Sequence, residues 1–489
     1  MTMQMHFETT RASRVRAAIA VLLSSAALTA CAVGPNFERP DAPAHTASVV
    51  PQLPDQQLQV GKPLPADWWT MFASPELNDL VAQAFASNQD LAAAQSSIER
   101  AQELGTARTG ARYPQVDLTA GSGRQKYGSQ FLGPFPKPPP FTYYAFGPSV
   151  SYTLDYTGGV GRAIEQQQAL AQYQQREWQA ARLTVTGNVV QQAFAVAAAQ
   201  AQIDALQEVL ADDRRNVQMI QDANEAGSVS RLDVLTAQNQ LASDETLLPA
   251  LKQQLSVAQH ALAVLVGKTP GEMPALHLDL SAFELPKEVP VSLPSDWVRQ
   301  RPDILAAEAQ LHAATAAVGV ATANLYPRVT LTASFTQQSL ATNELFDHAN
   351  SAWGVVSSLT APIFDGGKLR AEKRASLAAL ATESARYKQV VLESFAQVAD
   401  ALDALQHSAE QLTAQTQAIT IAQQSLALTR ESYNEGNVGV LQVLDSERLY
   451  QQARLGYVRA QAQRLQDTAR LFVAMGGGVD PQLTAATAR

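Results

Sequence analysis

Tyr113-Pro-Gln-Val-Asp-Leu-Thr-Ala-Gly121 returns as Tyr326-Pro-Arg-Val-Thr-Leu-Thr-Ala-Ser334, and this echo decides the fold. Other pairs keep a similar offset: Gly227-x-Val229-x-x-Leu232 matches Gly436-x-Val438-x-x-Leu441. A spacing of about 200 residues is far longer than the 20–50 residues of solenoid repeats. The sequence therefore predicts two related halves, with a first repeat at 67–267 and a second at 301–478.

Two long segments, 162–226 and 368–434, contain no proline and are rich in Ala, Gln and Leu. At 1.5 Å per residue, either could form a single helix on the order of 100 Å long. Such helices are too long for a globular core. The fold class predicted from them is mainly α.

The N-terminus has the pattern of an export signal. Arg11, Arg14 and Arg16 precede an apolar run at 17–27, which is followed by Leu28-Thr29-Ala30-Cys31. This lipobox predicts a lipoprotein signal peptide at 1–30 and a covalent lipid on Cys31, as S-diacylglycerol and N-palmitoyl. The alternative is an ordinary buried free cysteine. Proline-rich residues 31–66 read as a lipidated extended tether.

Four short stretches alternate between apolar and small or polar residues. Strands are predicted at about 114–126, 146–157, 327–338 and 353–364. The pattern is typical of transmembrane β-strands, but a half-buried strand of a soluble sheet has the same period. The lipobox favours the membrane. Four strands cannot close a barrel in lipid, so several chains would have to share one.

Composition and motifs argue against nucleic-acid binding and catalysis. The net charge is −9 and no Lys/Arg cluster occurs. Asp400 and Asp403 fit a solvated helix face, and Gly267-Lys268-Thr269 lacks the first glycine of a phosphate-binding loop. We find no serine-nucleophile or zinc-protease motif, the histidines are scattered, and Cys31 is the only cysteine. We therefore expect no enzyme, no metal site and no cofactor besides the lipid.

Several motifs together resemble the outer membrane factor family of the TolC and OprM type, most closely its NodT-type lipoprotein branch. They are Cys31-Ala-Val-Gly-Pro-Asn-Phe37, Trp68-Trp69-x-x-Phe72, Arg301-Pro-Asp-Ile304, Tyr326-Pro327, Leu444-Asp445-x-x-Arg448 and Gly476-Gly-Gly478. The resemblance implies a homotrimer with four strands per chain in a twelve-stranded outer-membrane barrel, continuous with a periplasmic α-barrel. It also implies an equatorial belt formed by the connector 268–300 and the C-terminus, whose tail is 479–489.

The resemblance further implies a role as the exit duct of a tripartite efflux pump in the bacterial outer membrane. Its partners would be outer-membrane lipid, a periplasmic adaptor and an inner-membrane pump, either an RND transporter or an aromatic-acid exporter. The cargo would be small toxic compounds such as antibiotics or aromatic and organic acids, fusaric acid among them. The alternative is a duct for polypeptide secretion with an ABC transporter.

Two sets of site residues follow from the same resemblance. The periplasmic gate is predicted at Leu441, Asp445, Arg448 and Asp233; the alternative for Asp445 and Arg448 is a surface ion pair. The adaptor-contacting tip is predicted at two turns, which could instead reflect local turn chemistry alone. The turn residues are Gly227, Ser228, Val229, Gly436, Asn437 and Val438.

Overall fold

The computed structural model describes residues 32–41, 52–127, 139–274, 276–291 and 300–478. The predicted signal peptide 1–30, the lipidation site Cys31 and the C-terminal tail 479–489 lie outside these ranges.

Helices dominate the described chain, and eight α-helices are present in it. They are α1 Pro75–Ser87, α2 Gln89–Thr109, α3 Gly159–Glu225, α4 Arg231–Glu245, α5 Leu247–Leu265, α6 Pro302–Ala323, α7 Lys368–Asn434 and α8 Val440–Ala474. The described strands are β1 Gln57–Val60, β2 Gln115–Gln125, β3 Phe141–Leu154, β4 Glu288–Val291, β5 Arg328–Ser339 and β6 Ser351–Thr360.

The predicted duplication is visible in the two longest helices. Helices α3 and α7 each contain 67 residues. An aspartate shortly before each helix accepts backbone N–H bonds at its start: Asp155 accepts them from Val160 and Gly161, and Asp365 from Gly367 and Leu369. A carboxylate at a helix start satisfies free amide groups and complements the helix dipole. The bonds from Leu369 and Gly367 hold the pKa of Asp365 below its usual value.

The chain divides into two compact units. Among the described residues, the first unit contains 32–39, 98–127, 139–173 and 307–387. The second contains 40–41, 52–97, 174–274, 276–291, 300–306 and 388–478. Each unit therefore takes segments from both sequence repeats, which is the interleaving expected of a duplicated chain.

The first unit holds an antiparallel sheet with strand order β2-β3-β5-β6. All four predicted strands are present, but two end earlier than expected. Strand β3 ends at Leu154 because Asp155 caps the next helix and Gly158 adopts φ +74°. Strand β6 ends at Thr360, just before Pro362, because proline has no N–H for the ladder.

The two faces of this sheet differ in polarity. Register places Val116, Val150, Ala333 and Val355 in one row across all four strands. The neighbouring row on the opposite face is Asp117, Ser149, Ser334 and Gly354. Valines 116 and 355 are 68% and 71% exposed, so this apolar row is uncovered. Strands β2 and β6 each have one unpaired edge within the described residues.

The second unit has the main hydrophobic core. Trp68, Phe72, Phe194 and Phe472 are almost fully buried in it. The Phe72 and Phe194 rings meet edge to face with centroids 5.0 Å apart, a favoured aromatic geometry. Strands β1 and β4 form a separate two-stranded parallel sheet in this unit.

Residues 31–66 are predicted to be an extended tether that contributes nothing to a core, and the described C-terminal part of this segment differs. Strand β1 pairs with β4 inside the predicted 268–300 connector, and Leu64 is buried in the main core. Asp55 bonds to the guanidinium of Arg464 at 2.7 and 2.9 Å. Backbone pairing and one buried ion pair can fix such a segment with few large apolar residues, which the composition could not reveal.

Among the described helices, one is long and apolar enough to cross a membrane, Pro302–Ala323. Half of that apolar stretch is buried inside the protein. A buried core helix has the same composition, so the helix by itself carries little weight as a membrane span.

Candidate functional site

Two helix-connecting turns have the same backbone geometry. Gly227 donates its N–H to the Asn224 carbonyl at 2.9 Å, and Ser228 donates to Ala223 at 2.9 Å. Around Gly436 the same two bonds recur at the same lengths. Both glycines adopt φ +76°, a left-handed conformation that ends helices and costs glycine little.

The turns are open at their outer side. Apart from the glycine and its chain neighbours, no heavy atom of the described residues lies within 4 Å of the position that a Cβ would take at either glycine. Ser228 and Asn437 are exposed as well, whereas Val229 and Val438 are partly buried. A substituted side chain would therefore meet solvent, apart from the strain that φ > 0 imposes.

The two helix hairpins pack against each other just behind the turns. Ile220, Val234, Ala237 and Val440 form a small buried cluster. It joins α3 and α4 to α8 and is here called the tip cluster. Val229 and Tyr433 pack on its margin. Both turns are thus held at one end of the second unit.

The predicted gate residues lie close together on the first turns of α8. Arg448 donates to the Asp445 carboxylate at 2.7 Å, and their side chains are 42% and 61% exposed. Leu441 is 50% exposed, one turn earlier. The ion pair is therefore present, and within one chain these side chains point away from the core.

Asp233 has a local structural role. Its backbone N–H donates to the Ser230 hydroxyl oxygen at 3.3 Å, and its carboxylate accepts from the Ser230 backbone N–H at 2.8 Å. This reciprocal capping box begins α4. The role of Asp233 in a gate stays a prediction.

A protein-family match over most of the chain identifies its family. The family described as outer membrane efflux protein matches residues 80–268 and 293–477. The chain belongs to the outer membrane efflux protein family.

Similar proteins agree with this assignment. The chain is 30% identical over 437 residues to the pyoverdine export outer membrane protein OpmQ of Pseudomonas putida, with 88% of the chain and 90% of the relative covered. It is 29% identical over 464 residues to nodulation protein T of Rhizobium leguminosarum bv. trifolii, covering 93% and 96%. The solved structure of the outer-membrane channel OprN superposes with a TM-score of 0.84 at 27% identity, covering 92% of the chain and 99% of OprN.

The resemblance found in the sequence motifs is thereby confirmed. This outer membrane efflux protein has a mainly helical, TolC-like fold, is located in the outer membrane and serves efflux transport. Members of the family are channel or transport proteins rather than enzymes, and they work with adaptor proteins and inner-membrane pumps.

The second unit contains a buried polar layer that the sequence did not predict. Asp213, Asn216, Glu447 and Gln451 are each at most 9% exposed. Glu447 accepts hydrogen bonds from Asn216 and, at 2.7 Å, from Arg430. The run Asp212-Asp213-Arg214-Arg215 looks like a solvated face. In the sequence, the i,i+4 spacing of Glu447 and Gln451 is a weak signal for the layer.

Residues 33–39 are held against the first unit. Val33 donates its N–H to the Thr157 carbonyl at 3.0 Å, and Arg39 pairs with Glu308 at 2.8 Å. Phe37 stacks on the His312 ring with centroids 4.4 Å apart. The start of the predicted tether is therefore attached to folded structure near the end of β3.

Asn36 and Glu165 complete this attachment. The Arg162 guanidinium donates to the Asn36 side chain and, at 2.8 Å, to Glu165, which also bonds to His312 at 2.9 Å. Burial opposes ionisation of Glu165, but the bonds and charges of Arg162 and His312 hold its pKa below the usual value. No group of three or more His, Cys, Asp or Glu side chains suited to a metal occurs among the residues that the structure describes.

Proposed function

We propose that three copies of the chain form a passive outer-membrane duct that conducts small toxic compounds from the periplasm to the exterior. The observation that carries this proposal is the four-stranded sheet of the first unit, with its uncovered apolar face, its small polar face and its two unpaired edges.

The apolar face suits contact with lipid. Rows such as Val116-Val150-Ala333-Val355 run across every strand, and the exposed Trp353 fits a membrane-interface position. The strands contain 10–14 residues, enough to cross the hydrocarbon layer when tilted. The opposite row of Asp117, Ser149, Ser334 and Gly354 is small and polar, as expected for a water-filled lumen.

The unpaired edges require partners, because lipid cannot satisfy free backbone N–H and C=O groups. A second copy of the chain would supply an equivalent β6 edge for each β2 edge. Two copies would give eight strands and a filled interior, whereas three give twelve and an aqueous passage. A homotrimer is the smallest assembly of this kind that conducts.

Cys31 is proposed to carry S-diacylglycerol and N-palmitoyl groups. The bond from Val33, two positions after Cys31 in the sequence, to Thr157 near the end of β3 supports this. Lipid and barrel would then enter the same membrane.

The narrow end of the duct is proposed to close at Leu441, Asp445 and Arg448, with Asp233 contributing charge. Their exposure in a single chain supports a role on a pore-facing surface, since side chains free of the core can meet across a symmetry axis. The turns at Gly227–Val229 and Gly436–Val438 are proposed as docking notches for a periplasmic adaptor. Their open outer side and near absence of charge support that role.

Small-molecule efflux is favoured over polypeptide secretion by relatives named for pyoverdine export and for toluene efflux. An inner-membrane RND or aromatic-acid pump would then supply cargo such as antibiotics or fusaric acid. An adaptor gene beside such a pump gene would support efflux, whereas an ABC transporter gene beside a toxin gene would support secretion.

The membrane assignment is tested with one lysine on each face of the sheet. Val355→Lys should cost about 2–4 kcal/mol per chain if the side chain meets lipid near the bilayer centre, and trimer recovered from outer membranes should fall steeply. Ser334→Lys is the matched control on the polar face, and its trimer yield should be near that of wild type with an altered planar-bilayer conductance. Equal yields for the two variants would exclude the proposed arrangement.

A further inference from the structure

The polar layer of the second unit lies between two apolar clusters along α3. Ile203, Leu206, Val209, Leu210 and Leu251 are buried on one side of it. The tip cluster with Ile220 lies on the other side. The layer thus interrupts a hydrophobic seam along α3, which packs against α5 on one side of the layer and against α4 and α8 on the other. A polar group in such a seam weakens packing unless all its atoms have partners.

Glu447 is well satisfied within the layer, but Asp213 is not. Glu447 has two side-chain donors, Asn216 and Arg430. Asp213 is 4% exposed, and its Oδ1 accepts one long bond of 3.5 Å from Gln451. No donor among the described residues reaches its Oδ2. A buried carboxylate without a donor is strongly disfavoured.

A proton on Asp213 removes this mismatch. Asp244 on α4 faces Asp213, and its carboxylate can accept a hydrogen bond from a protonated Oδ2. Burial first, then the hydrogen bond to Asp244 and its charge, raise the pKa of Asp213 to about 7. The proton is therefore held in acid and lost as the pH rises through neutrality.

We propose that Asp213, Asn216, Asp244, Arg430, Glu447 and Gln451 form a proton-operated catch where the α3–α4 hairpin packs against α7 and α8. With Asp213 protonated, its hydrogen bond to Asp244 holds α3 and α4 together, and Glu447 on α8 faces a neutral side chain. With Asp213 ionised, three carboxylates face one another across α3, α4 and α8, and the hairpins loosen at this layer.

The surrounding charges do not cancel that change. Within the described part of α7, Arg430 is the cation directed into the layer. It is already bound to Glu447 at 2.7 Å and lies 3.8 Å from Asp212. The other nearby cations are paired on the outside of the layer. They form the pairs Arg215–Asp212, Arg214–Glu245 and Arg454–Glu208.

Water can reach the catch from one side. A cavity of about 270 Å³ is lined by Asp212, Glu447 and Gln451, together with Tyr450 and Arg454. It brings water next to Gln451, whose side chain bonds to Asp213. Glu447 of the polar layer lies two residues after Asp445 on α8. Loosening the layer would therefore free the segment that carries the proposed gate, a consequence that rests on the proposed channel function.

Hydrogen–deuterium exchange of the purified full-length protein tests the catch without measuring conduction. Peptides covering 209–220 and 440–451 are followed at about pH 6 and about pH 8, which bracket the pKa of Asp213, with labelling times scaled for intrinsic exchange. Wild type should show several-fold stronger protection at the lower pH. In Asp213→Asn, protection should be the same at both pH values. Asp222→Asn is the control, because Asp222 is exposed on the same helix, and it should retain the wild-type dependence.

Equal protection of wild type at both pH values would overturn the proposal, as would a pH dependence that persists in Asp213→Asn. If that variant fails to fold, infrared titration of wild type gives a second measurement. A carboxylic-acid C=O band that disappears between the two pH values supports the catch, and its absence overturns it. Because neither readout involves transport, failure of the catch and failure of the channel assignment remain distinguishable.

Discussion

Replacing Asp55 by alanine should release the segment that carries β1 from the second unit. Arg464 has a side chain only 1% exposed, and Asp55 binds its guanidinium through both carboxylate oxygens, at 2.7 and 2.9 Å. After the change, Arg464 keeps the Leu405 carbonyl and, at 3.4 Å, the Ser408 hydroxyl as acceptors. The buried cation is then left without a counter-charge.

The free energy lost in Asp55→Ala follows from the burial of Asp55 and Arg464. Removing one member of a buried ion pair costs about 3–5 kcal/mol. The Asp55 side chain is 29% exposed, so water reaches the vacated position and the lower limit of about 3 kcal/mol applies. At about 1.4 kcal/mol per factor of ten, amides of Gln57–Val60 should exchange with deuterium on the order of 100-fold faster.

A second ion pair on the same segment is the matched control. Lys62 and Glu288 lie 3.1 Å apart with side chains 52% and 58% exposed. Exposed pairs contribute about 0–1 kcal/mol, so Lys62→Ala should change the exchange of these amides only slightly. Asp55→Ala/Arg464→Met should recover part of the loss, since no uncompensated charge stays buried. The reasoning is refuted if Asp55→Ala and Lys62→Ala have the same effect.

Three further outcomes are expected. Gly436→Glu and Gly227→Glu should still give trimers, because the strain at φ > 0 is about 1 kcal/mol. Both variants should lose cross-linking to the adaptor and support less efflux. Full efflux with adaptor bound in both variants would place docking elsewhere. Asp445→Ala should raise planar-bilayer conductance, because it removes three symmetry-related charges from the proposed constriction. Unchanged conductance in both Asp445→Ala and Asp445→Ala/Arg448→Ala would assign the pair to an ordinary surface. Cys31→Ser should abolish palmitate labelling while the protein resists carbonate extraction, because the shared barrel spans the membrane independently; labelled mutant protein would disprove the lipobox assignment.

Periodic features of this fold could be predicted from the sequence. Proline-free segments at 162–226 and 368–434 correspond to the helices Gly159–Glu225 and Lys368–Asn434. The four strands were also predicted, because alternation over about ten residues reflects two chemically different faces. These patterns are local and repeat along the chain, so they can be recognised from a single sequence.

Features that depend on single contacts could not be predicted in this way. The pair between Asp55 and Arg464 joins residues 409 positions apart, and nothing near Asp55 indicates it. Asp213 has three charged neighbours in sequence, which masks its burial. The gate residues stay predictions for another reason, since Leu441 and Asp445 are exposed in one chain and would acquire their neighbours from other copies.

The equal lengths of α3 and α7 constrain how this protein can evolve. Each helix runs for 67 residues from an aspartate-capped start to a turn with a left-handed glycine. One inserted residue would advance a helix by 1.5 Å and rotate everything beyond it by about 100°. In α3 alone, such an insertion would turn Ile220 out of the tip cluster. A change of length in one of these helices is therefore tolerated only with a compensating change in the other.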